Sequence, residues 1–507
     1  MPTGFYPAFP PELQRNVDMF HALELRKTLY KPSYSRAPAA NRRGFMKRKR
    51  TVHAPILRLP VEILTKIFAL HSDAFRQAFG KPPYNFETEL DRLANTQLLT
   101  VSGVCAQWHH TAMGTPSLWS TLELNCVLWS NSSRLEKTMD LLAAALSRAR
   151  KVAIELTIFG EPERPVPRRA FDLLAQHSCQ WRTAKFSCSM ESLDLSVLKG
   201  RLPSLQKLEL NLPRTLHAVD FFEGAPRLEN LIVAGALLEN IGSIPSTQLT
   251  GLGFECVAPM DVGCVVSLAS ALPRGAHFRL SIDAYREADH LAVRSSPMVL
   301  AISQFSCGLT GYHNTGICSQ TLHHMFARLT LPDLRELRLT CPQYCPLTMP
   351  HPQFLELSER SGFHRTLKSL SITDVLVSEG DLIAILSSLQ SLEHLEMADN
   401  RGAKGNSLLM PNDTTLRTLT IHAPDRHLIP RLRNFVYATQ VRFTDNDLVA
   451  FVASRLEACP SPVFRVEIRP LPGREGVRYR AYPPKLLYRL QTRICQLEYV
   501  VDGHLSL

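Results

Sequence analysis

Cysteine and histidine side chains are concentrated in one segment near the middle of this 507-residue chain. Thiolate and imidazole groups are common protein ligands of zinc, so this composition suggests a metal site. The candidate ligands in the segment are Cys307, His313, Cys318, His323 and His324. Their intervals match none of the paired spacings of structural zinc sites. A second, smaller group consists of Cys341, Cys345 and His351. We predict that neither group binds a metal and that the protein needs no cofactor.

The sequence lacks the motifs of nucleophilic, metal-dependent and nucleotide-dependent enzymes. It contains no Gly-x-Ser-x-Gly elbow, no His-Glu-x-x-His helix, no phosphate-binding loop and no dinucleotide-binding fingerprint. Gly251-Leu-Gly253 lacks the third glycine of that fingerprint, and we interpret it as a turn. We therefore predict a protein that is not an enzyme and that acts by binding.

An apolar stretch between residues 56 and 119 begins with the segment ILRLPVEILTKIF. Pro60 stands where a helix can begin without losing a hydrogen bond, and Glu62 lies in the acidic first turn that helices favour. The apolar residues that then repeat at helical spacing are Ile63, Leu64, Ile67 and Phe68. This segment is predicted to form an amphipathic helix.

The second part of the stretch, LLTVSGVCAQWHHTAMGTPSLW, follows a polar insertion. Apolar residues separated by three, four, three and four positions predict one continuous helix. These residues are Leu98, Val101, Cys105, Trp108 and Ala112. Thr115-Pro116 ends the helix, and Leu118 and Trp119 can fold back over its apolar face. About 60 residues bury little surface alone, so this face either packs on the rest of the chain or binds a partner.

The order and spacing of these residues resemble the F-box, in the version with a Pro-x-Leu-Trp ending that is common in mushroom-forming fungi. The chain departs from that family in a long insertion, residues 71–97, and in Gln107, where a basic residue is usual. The resemblance implies binding to a Skp-class adaptor and, through it, to the cullin and RING subunits of a ubiquitin ligase. The positions implied to face the adaptor are Leu59, Pro60, Ile63, Leu64, Ile67, Phe68, Val104, Cys105 and Trp108.

Composition and charge favour an intracellular globular protein. The chain is 45% hydrophobic and 20% charged, and its twelve cysteines are scattered, which is typical of reduced thiols. No apolar run approaches a membrane span, and the N-terminal sequence does not have the form of a secretory signal. Part of the net charge of +11 comes from a basic cluster at residues 42–50. That cluster is typical of a solvated tail, a nuclear import signal or a nucleic-acid contact, so we expect a cytoplasmic or nuclear location.

A leucine-rich pattern recurs after residue 120, where short strands and helices alternate. Successive copies of Leu-x-x-Leu-x-Leu are mostly 21 to 25 residues apart, which is typical of leucine-rich repeats. The copies begin at Leu205, Leu228, Leu249, Leu334, Leu367, Leu392 and Leu416. Arg279-Leu-Ser-Ile282 is a further predicted strand. One strand and one helix per copy predict a curved α/β solenoid with a parallel sheet and outer helices.

We therefore predict three regions: a largely disordered basic tail (1–54), an F-box-like helical module (55–120, with the insertion at 71–97) and an irregular leucine-rich-repeat solenoid (121–507). Strand positions between the repeat leucines face the concave side, where solenoids bind partners. The predicted target-binding residues are Lys207, Glu209, Arg335, Arg338, Lys368, His394 and Arg417. The predicted function is substrate recognition for the ligase. The alternative is a protein- or nucleic-acid-binding scaffold that uses the solenoid and the basic tail, although we do not expect nucleic acid to be the main partner.

Overall fold

The computed structural model describes sixteen segments of the chain and contains two compact units, residues 1–60 and 61–507. The described segments are 59–79, 96–126, 132–160, 166–188, 193–211, 224–235, 244–283, 297–310, 315–341, 347–398, 413–420, 428–438, 444–458, 464–468, 500–501 and 504–505. The first unit contributes only Leu59, which is half-buried, and Pro60, which is exposed. The predicted tail at 1–54 lies outside the described residues.

Three helices open the second unit: α1 (Val61–Phe79), α2 (Thr96–Ser102) and α3 (Ala106–Gly114). Helix α1 continues through the first part of the predicted insertion. No glycine or proline interrupts residues 61–79, and Gly80 follows directly. Because both residue types disfavour helix interiors, the uninterrupted segment remains helical.

The prediction of one continuous helix from Leu98 to Ala112 is wrong, since α2 ends at Ser102 and α3 starts at Ala106. Between them, Cys105 adopts an extended conformation, and its sulfur accepts the backbone N–H of Trp108 at 3.5 Å. Cys105 therefore caps α3 instead of continuing α2. The predicted stop at Thr115-Pro116 is confirmed, and Pro116–Trp119 form one turn of 3-10 helix.

The rest of the second unit is a mixed α/β fold, and in its described part thirteen strands form one parallel sheet in sequential order. The strands are β1 (Thr121–Asn125), β2 (Ile154–Phe159), β3 (Trp181–Ser187), β4 (Lys207–Asn211), β5 (Asn230–Ala234), β6 (Gly251–Val257), β7 (His277–Asp283), β8 (Gln304–Thr310), β9 (Glu336–Thr340), β10 (Ser369–Thr373), β11 (His394–Ala398), β12 (Asn434–Ala438) and β13 (Arg465–Ile468). The connecting helices are α4 (Ser132–Ala149), α5 (Arg168–Gln176), α6 (Val262–Ala269), α7 (Thr315–Arg328), α8 (His351–Ser361), α9 (Glu379–Ser388), α10 (Asp413–Leu419) and α11 (Asp445–Ala458).

Smaller elements accompany the main sheet. Short 3-10 helices occur at Ser178–Gln180, Leu195–Leu198, Ser246–Gln248, Pro259–Asp261 and Phe363–Arg365. Three pairs of two-residue strands complete the described structure: Met298–Val299 with Leu329–Thr330, Leu347–Thr348 with Val375–Leu376, and Val500–Val501 with His504–Leu505.

Alternate side chains of each strand form the core. Neighbouring strands are paired so that their apolar residues continue from strand to strand in two buried rows. The first row consists of Leu122, Leu156, Ala184, Leu208, Leu231, Leu252, Phe278, Phe305, Leu337, Leu370, Leu395, Phe435 and Val466. Helices pack on this side, since Phe451 of α11 contacts Phe435 with ring centroids 5.2 Å apart. The side-chain period of two thus separates a buried face from what we call the open face of the sheet.

Six of the seven predicted repeat copies, those starting at Leu205, Leu228, Leu249, Leu334, Leu367 and Leu392, coincide with strands β4, β5, β6, β9, β10 and β11. The strand predicted around Arg279 is also confirmed, as β7. The turn predicted at Gly251-Leu-Gly253 is wrong, because both glycines lie in β6. Their lack of side chains shapes the open face at this position.

The strand predicted from Leu416 is wrong, because residues Asp413–Leu419 form helix α10. Leu416 and Leu419 are three positions apart, which fits a helix face as well as a repeat. The equivalent strand is β12. Leu432, just before it, and Phe435 and Tyr437 within it take the three positions of the pattern. Aromatic residues replace the expected leucines, so the copy escapes a search for leucine.

Candidate functional site

Exposed apolar side chains are concentrated on the helical module at the start of the second unit. Seven large apolar residues are exposed among the described residues, and five of them belong to this module. The five are Val61, Ile63, Ile67, Leu70 and Val104. Ile63, Ile67 and Leu70 are separated by four and three positions and therefore share one face of α1. Such a concentration of exposed apolar surface is typical of a binding site for another protein.

Two of the residues predicted to face a partner lie inside the module. Leu64 and Phe68 are fully buried, and the ring of Phe68 meets Trp108 edge-on with centroids 5.1 Å apart. Their side chains cannot contact a partner in this conformation, so we assign them to the interior packing of α1 on α3. Trp108 is half-buried and can take part in both interior packing and an interface.

The loop between α2 and α3 adds a second exposed position. Val104 has 59% of its surface exposed, whereas the adjacent Cys105 is half-buried and caps α3 through its sulfur. Val61 and Leu70 were not among the predicted binding residues. Residue type and spacing do not separate the exposed residues of α1 from the buried ones, because its apolar stripe is wider than the strip that the rest of the module covers.

Trp119 connects the helical module to the sheet. Its indole N–H donates to the carbonyl oxygen of Ala112 in α3 at 2.7 Å. The guanidinium of Arg148, at the end of α4, lies 4.6 Å from the centre of the ring. Trp119 folds back towards α3 as the sequence predicts, and it immediately precedes β1.

These helices and the first strand coincide with a known family. Residues 56–125 match the F-box-like family model. An F-box-like domain therefore occupies this part of the chain. No curated protein matches the sequence. The F-box-like domain includes all nine residues predicted to face an adaptor, and the structure exposes four of them: Pro60, Ile63, Ile67 and Val104.

The open face of the sheet is the second candidate surface, and it carries most of the residues predicted to bind a target. Lys207, Glu209, Arg338 and His394 lie on strand positions that alternate with the buried rows. Arg335 and Lys368 immediately precede β9 and β10, and both side chains are exposed.

Ion pairs connect several of these residues to neighbouring strands. The ammonium of Lys185 lies 2.6 Å from a carboxylate oxygen of Glu209, and that of Lys368 lies 3.2 Å from Glu393. Burial lowers the pKa of His394, against the opposing effect of the carboxylate of Glu396. The open face therefore carries charges of both signs, most of them accessible to solvent.

Arg417 does not belong to this surface. It lies in helix α10, where its guanidinium pairs with the carboxylate of Asp447 at 2.8 Å. The hydrogen bonds from Arg417 and Thr444 hold the pKa of Asp447 below its usual range. The prediction that Arg417 lies on a strand is wrong for the same reason that the Leu416 copy is wrong.

The cysteine and histidine residues do not form a metal site in the described part of the chain, where no three candidate ligands lie close enough together. Cys307 is buried in β8, and His323 and His324 are adjacent on α7. His313 and the side chain of Cys318 lie outside the described part. Separately, no described helix has both the length and the hydropathy needed to cross a membrane.

Proposed function

We propose that this chain is a substrate-recognition subunit of a cullin-RING ubiquitin ligase of the SCF type. The F-box-like domain would bind a Skp-class adaptor, and the open face of the sheet would bind a target protein. The observation that carries the proposal is the set of exposed apolar side chains on this domain, above all Ile63, Ile67 and Val104. The Pro-x-Leu-Trp ending at Trp119 supports its assignment to the version of the F-box common in mushroom-forming fungi.

The apolar residues of α1 support adaptor binding on energetic grounds. A fully buried aliphatic side chain gains about 1.5–3 kcal/mol over an exposed one, so covering Ile63, Ile67 and Leu70 favours association. Protein interfaces concentrate their binding energy in a few such anchors. Leu64 and Phe68 contribute indirectly, because they hold α1 against α3.

We propose that the region after residue 120 is an irregular leucine-rich-repeat solenoid. The strands form a parallel sheet in sequential order, and the buried apolar residues of neighbouring strands are paired in continuous rows. This arrangement supports the assignment. Repeat proteins bind partners through the strand face that their helices leave uncovered. Here that face is polar and charged, which favours a polar segment of a target protein.

The proposed mechanism is proximity. The chain would supply no catalytic group and would raise the local concentration of target lysines near a ubiquitin-conjugating enzyme. We propose a cytoplasmic or nuclear location, where the ligase subunits and their targets meet.

The test is assembly with a purified ligase core. The chain is mixed with a recombinant Skp-class adaptor bound to its cullin and RING subunits, and complex formation is measured by size-exclusion chromatography. We expect co-elution of the parent chain and its loss in the Ile63→Asp, Ile67→Asp double variant. These substitutions alter exposed side chains, so a folded variant is expected. A folded parent chain that elutes apart from the core would overturn the proposal.

A further inference from the structure

A depression in the open face of the sheet lies beside two arginines. Strand β6 has glycine at its first two open-face positions, Gly251 and Gly253, so its backbone forms part of the floor. The depression has a volume of about 420 Å³. Residues that line it include Ile232, Arg279, Gln304, Ser306, Glu336 and Arg338.

The pairing of the strands brings the two arginines to either side of one small residue. Ser306 of β8 is paired with Arg279 of β7 on one side and with Arg338 of β9 on the other. Adjacent strands are about 4.8 Å apart, so the two arginine Cα atoms are separated by about 10 Å. Both side chains are long enough for their guanidinium groups to converge above the hydroxyl of Ser306.

Each arginine has a carboxylate partner that an anionic ligand must displace. Arg279 pairs with Glu255 at 3.3 Å, and Arg338 pairs with Glu336 at 2.5 Å. The arginine side chains are 58% and 60% exposed, so a ligand can reach both guanidinium groups, whereas the side chains of Glu255 and Glu336 are 30% and 19% exposed. The carboxylates of Glu255 and Glu336 balance the two guanidinium groups, so an anionic ligand binds by exchange with these carboxylates.

We propose that this depression, which we call the Ser306 site, binds an anionic side chain of a target peptide. Guanidinium groups form paired hydrogen bonds to planar carboxylate and to phosphate, and the serine hydroxyl supplies a further donor. The apolar wall at Ile232 and the glycine floor accommodate the neighbouring part of the peptide. This inference rests on the proposed function, because it names the chemistry by which the open face selects a target.

The probes are three fluorescent pools of nine-residue peptides, randomised except for a central glutamate, phosphoserine or lysine. Retention by the immobilised full-length chain is measured for each pool. We expect the glutamate or the phosphoserine pool, or both, to be retained above the lysine pool. The stronger of the two identifies carboxylate or phosphate as the group that is bound. Equal retention of all three pools, or preference for lysine, would overturn the proposal.

Three variants locate the binding. Arg279→Gln together with Arg338→Gln should reduce retention of the anionic pools at least about tenfold, since charge-assisted hydrogen bonds are lost. Ser306→Leu should reduce it while leaving both charges in place. Arg274→Gln is the matched control, because Arg274 is also an exposed, ion-paired arginine, bound to Asp333 at 2.7 Å outside the site. Unchanged retention in the double variant, or an equal loss in the control, would refute the assignment.

Adaptor binding of the same double variant separates this inference from the proposed function. The Ser306 site lies on β5–β9, and the F-box-like domain lies at residues 56–125. We therefore expect the double variant to bind the adaptor like the parent chain. Adaptor binding without peptide selectivity would refute only the Ser306 site, whereas selectivity without adaptor binding would refute only the ligase function.

Discussion

Two buried tryptophans, Trp119 and Trp181, differ in the contacts of their indole N–H groups. Each side chain is 1% exposed. The N–H of Trp119 donates to Ala112 at 2.7 Å, and Arg148 lies over its ring. The N–H of Trp181 has no acceptor within the described residues. We therefore expect Trp119→Phe to lower the free energy of unfolding more than Trp181→Phe does.

The magnitude follows from the separate contributions. Replacing either indole with a phenyl ring removes packed volume at a cost of about 1.5 kcal/mol. Trp119→Phe also loses a hydrogen bond worth about 1 kcal/mol and weakens a cation–π contact by about 0.5 kcal/mol, which gives about 3 kcal/mol in total. Trp181→Phe removes an unpaired buried donor, and a relief of about 1 kcal/mol leaves a net cost of about 0.5 kcal/mol. The expected difference is about 2.5 kcal/mol.

Urea unfolding followed by far-ultraviolet circular dichroism measures this difference, because the signal does not depend on tryptophan fluorescence. The comparison requires equal m values, so that a change in midpoint reports a change in stability. A difference below about 0.5 kcal/mol would refute the role assigned to the bond between Trp119 and Ala112.

Three further predictions test other parts of the fold. The guanidinium of Arg455, buried in α11, donates to carbonyl oxygens at and beyond the end of α10. Arg455→Met should therefore lower the free energy of unfolding in urea by about 3 kcal/mol. Arg433 is exposed, so Arg433→Met should change it by less than about 0.5 kcal/mol. Gly362 ends α8 with φ of 69°, so Gly362→Ala should lower the melting temperature by the equivalent of about 1 kcal/mol, whereas Gly380→Ala, in helix α9, should raise it. Burial lowers the pKa of His394, so the unfolded state binds the proton more tightly than the folded state does. The free energy of unfolding therefore falls as the pH drops from about 6.5 through the folded-state pKa. His394→Gln should weaken this fall, measured between about pH 7.5 and about pH 5.5.

Local periodicity was sufficient to predict helix α1 and seven of the thirteen described strands of the main sheet. The spacing of Leu208 and Leu210 predicts a strand, because residues two positions apart in a strand share one face. The spacing of Ile63, Leu64, Ile67 and Phe68 predicts α1 by the corresponding argument for a helix. Neither argument needs information from distant parts of the chain.

Features that depend on competing local interactions or on burial were not predictable in this way. The break at Cys105 results from a side-chain cap that interrupts an otherwise continuous apolar stripe. Leu416 and Leu419 have a spacing that helices and repeats share. Ile63 and Leu64 are both apolar, and only the packing of α1 exposes the first and buries the second. The Ser306 site depends on the register of five strands, which the spacing of leucines does not reveal.

Adaptor binding by a matched pair of variants tests the central claim most directly. Val104, on the F-box-like domain, and Val299, outside it, are 59% and 56% exposed, so replacement by aspartate makes a similar change at both positions. Isothermal titration of the full-length chain with a purified Skp-class adaptor is expected to show binding by the parent and by Val299→Asp. Val104→Asp is expected to bind at least about tenfold more weakly, because it places an unpaired charge in an apolar interface. No binding by the folded parent chain, or equal affinities for the two variants, would contradict the account.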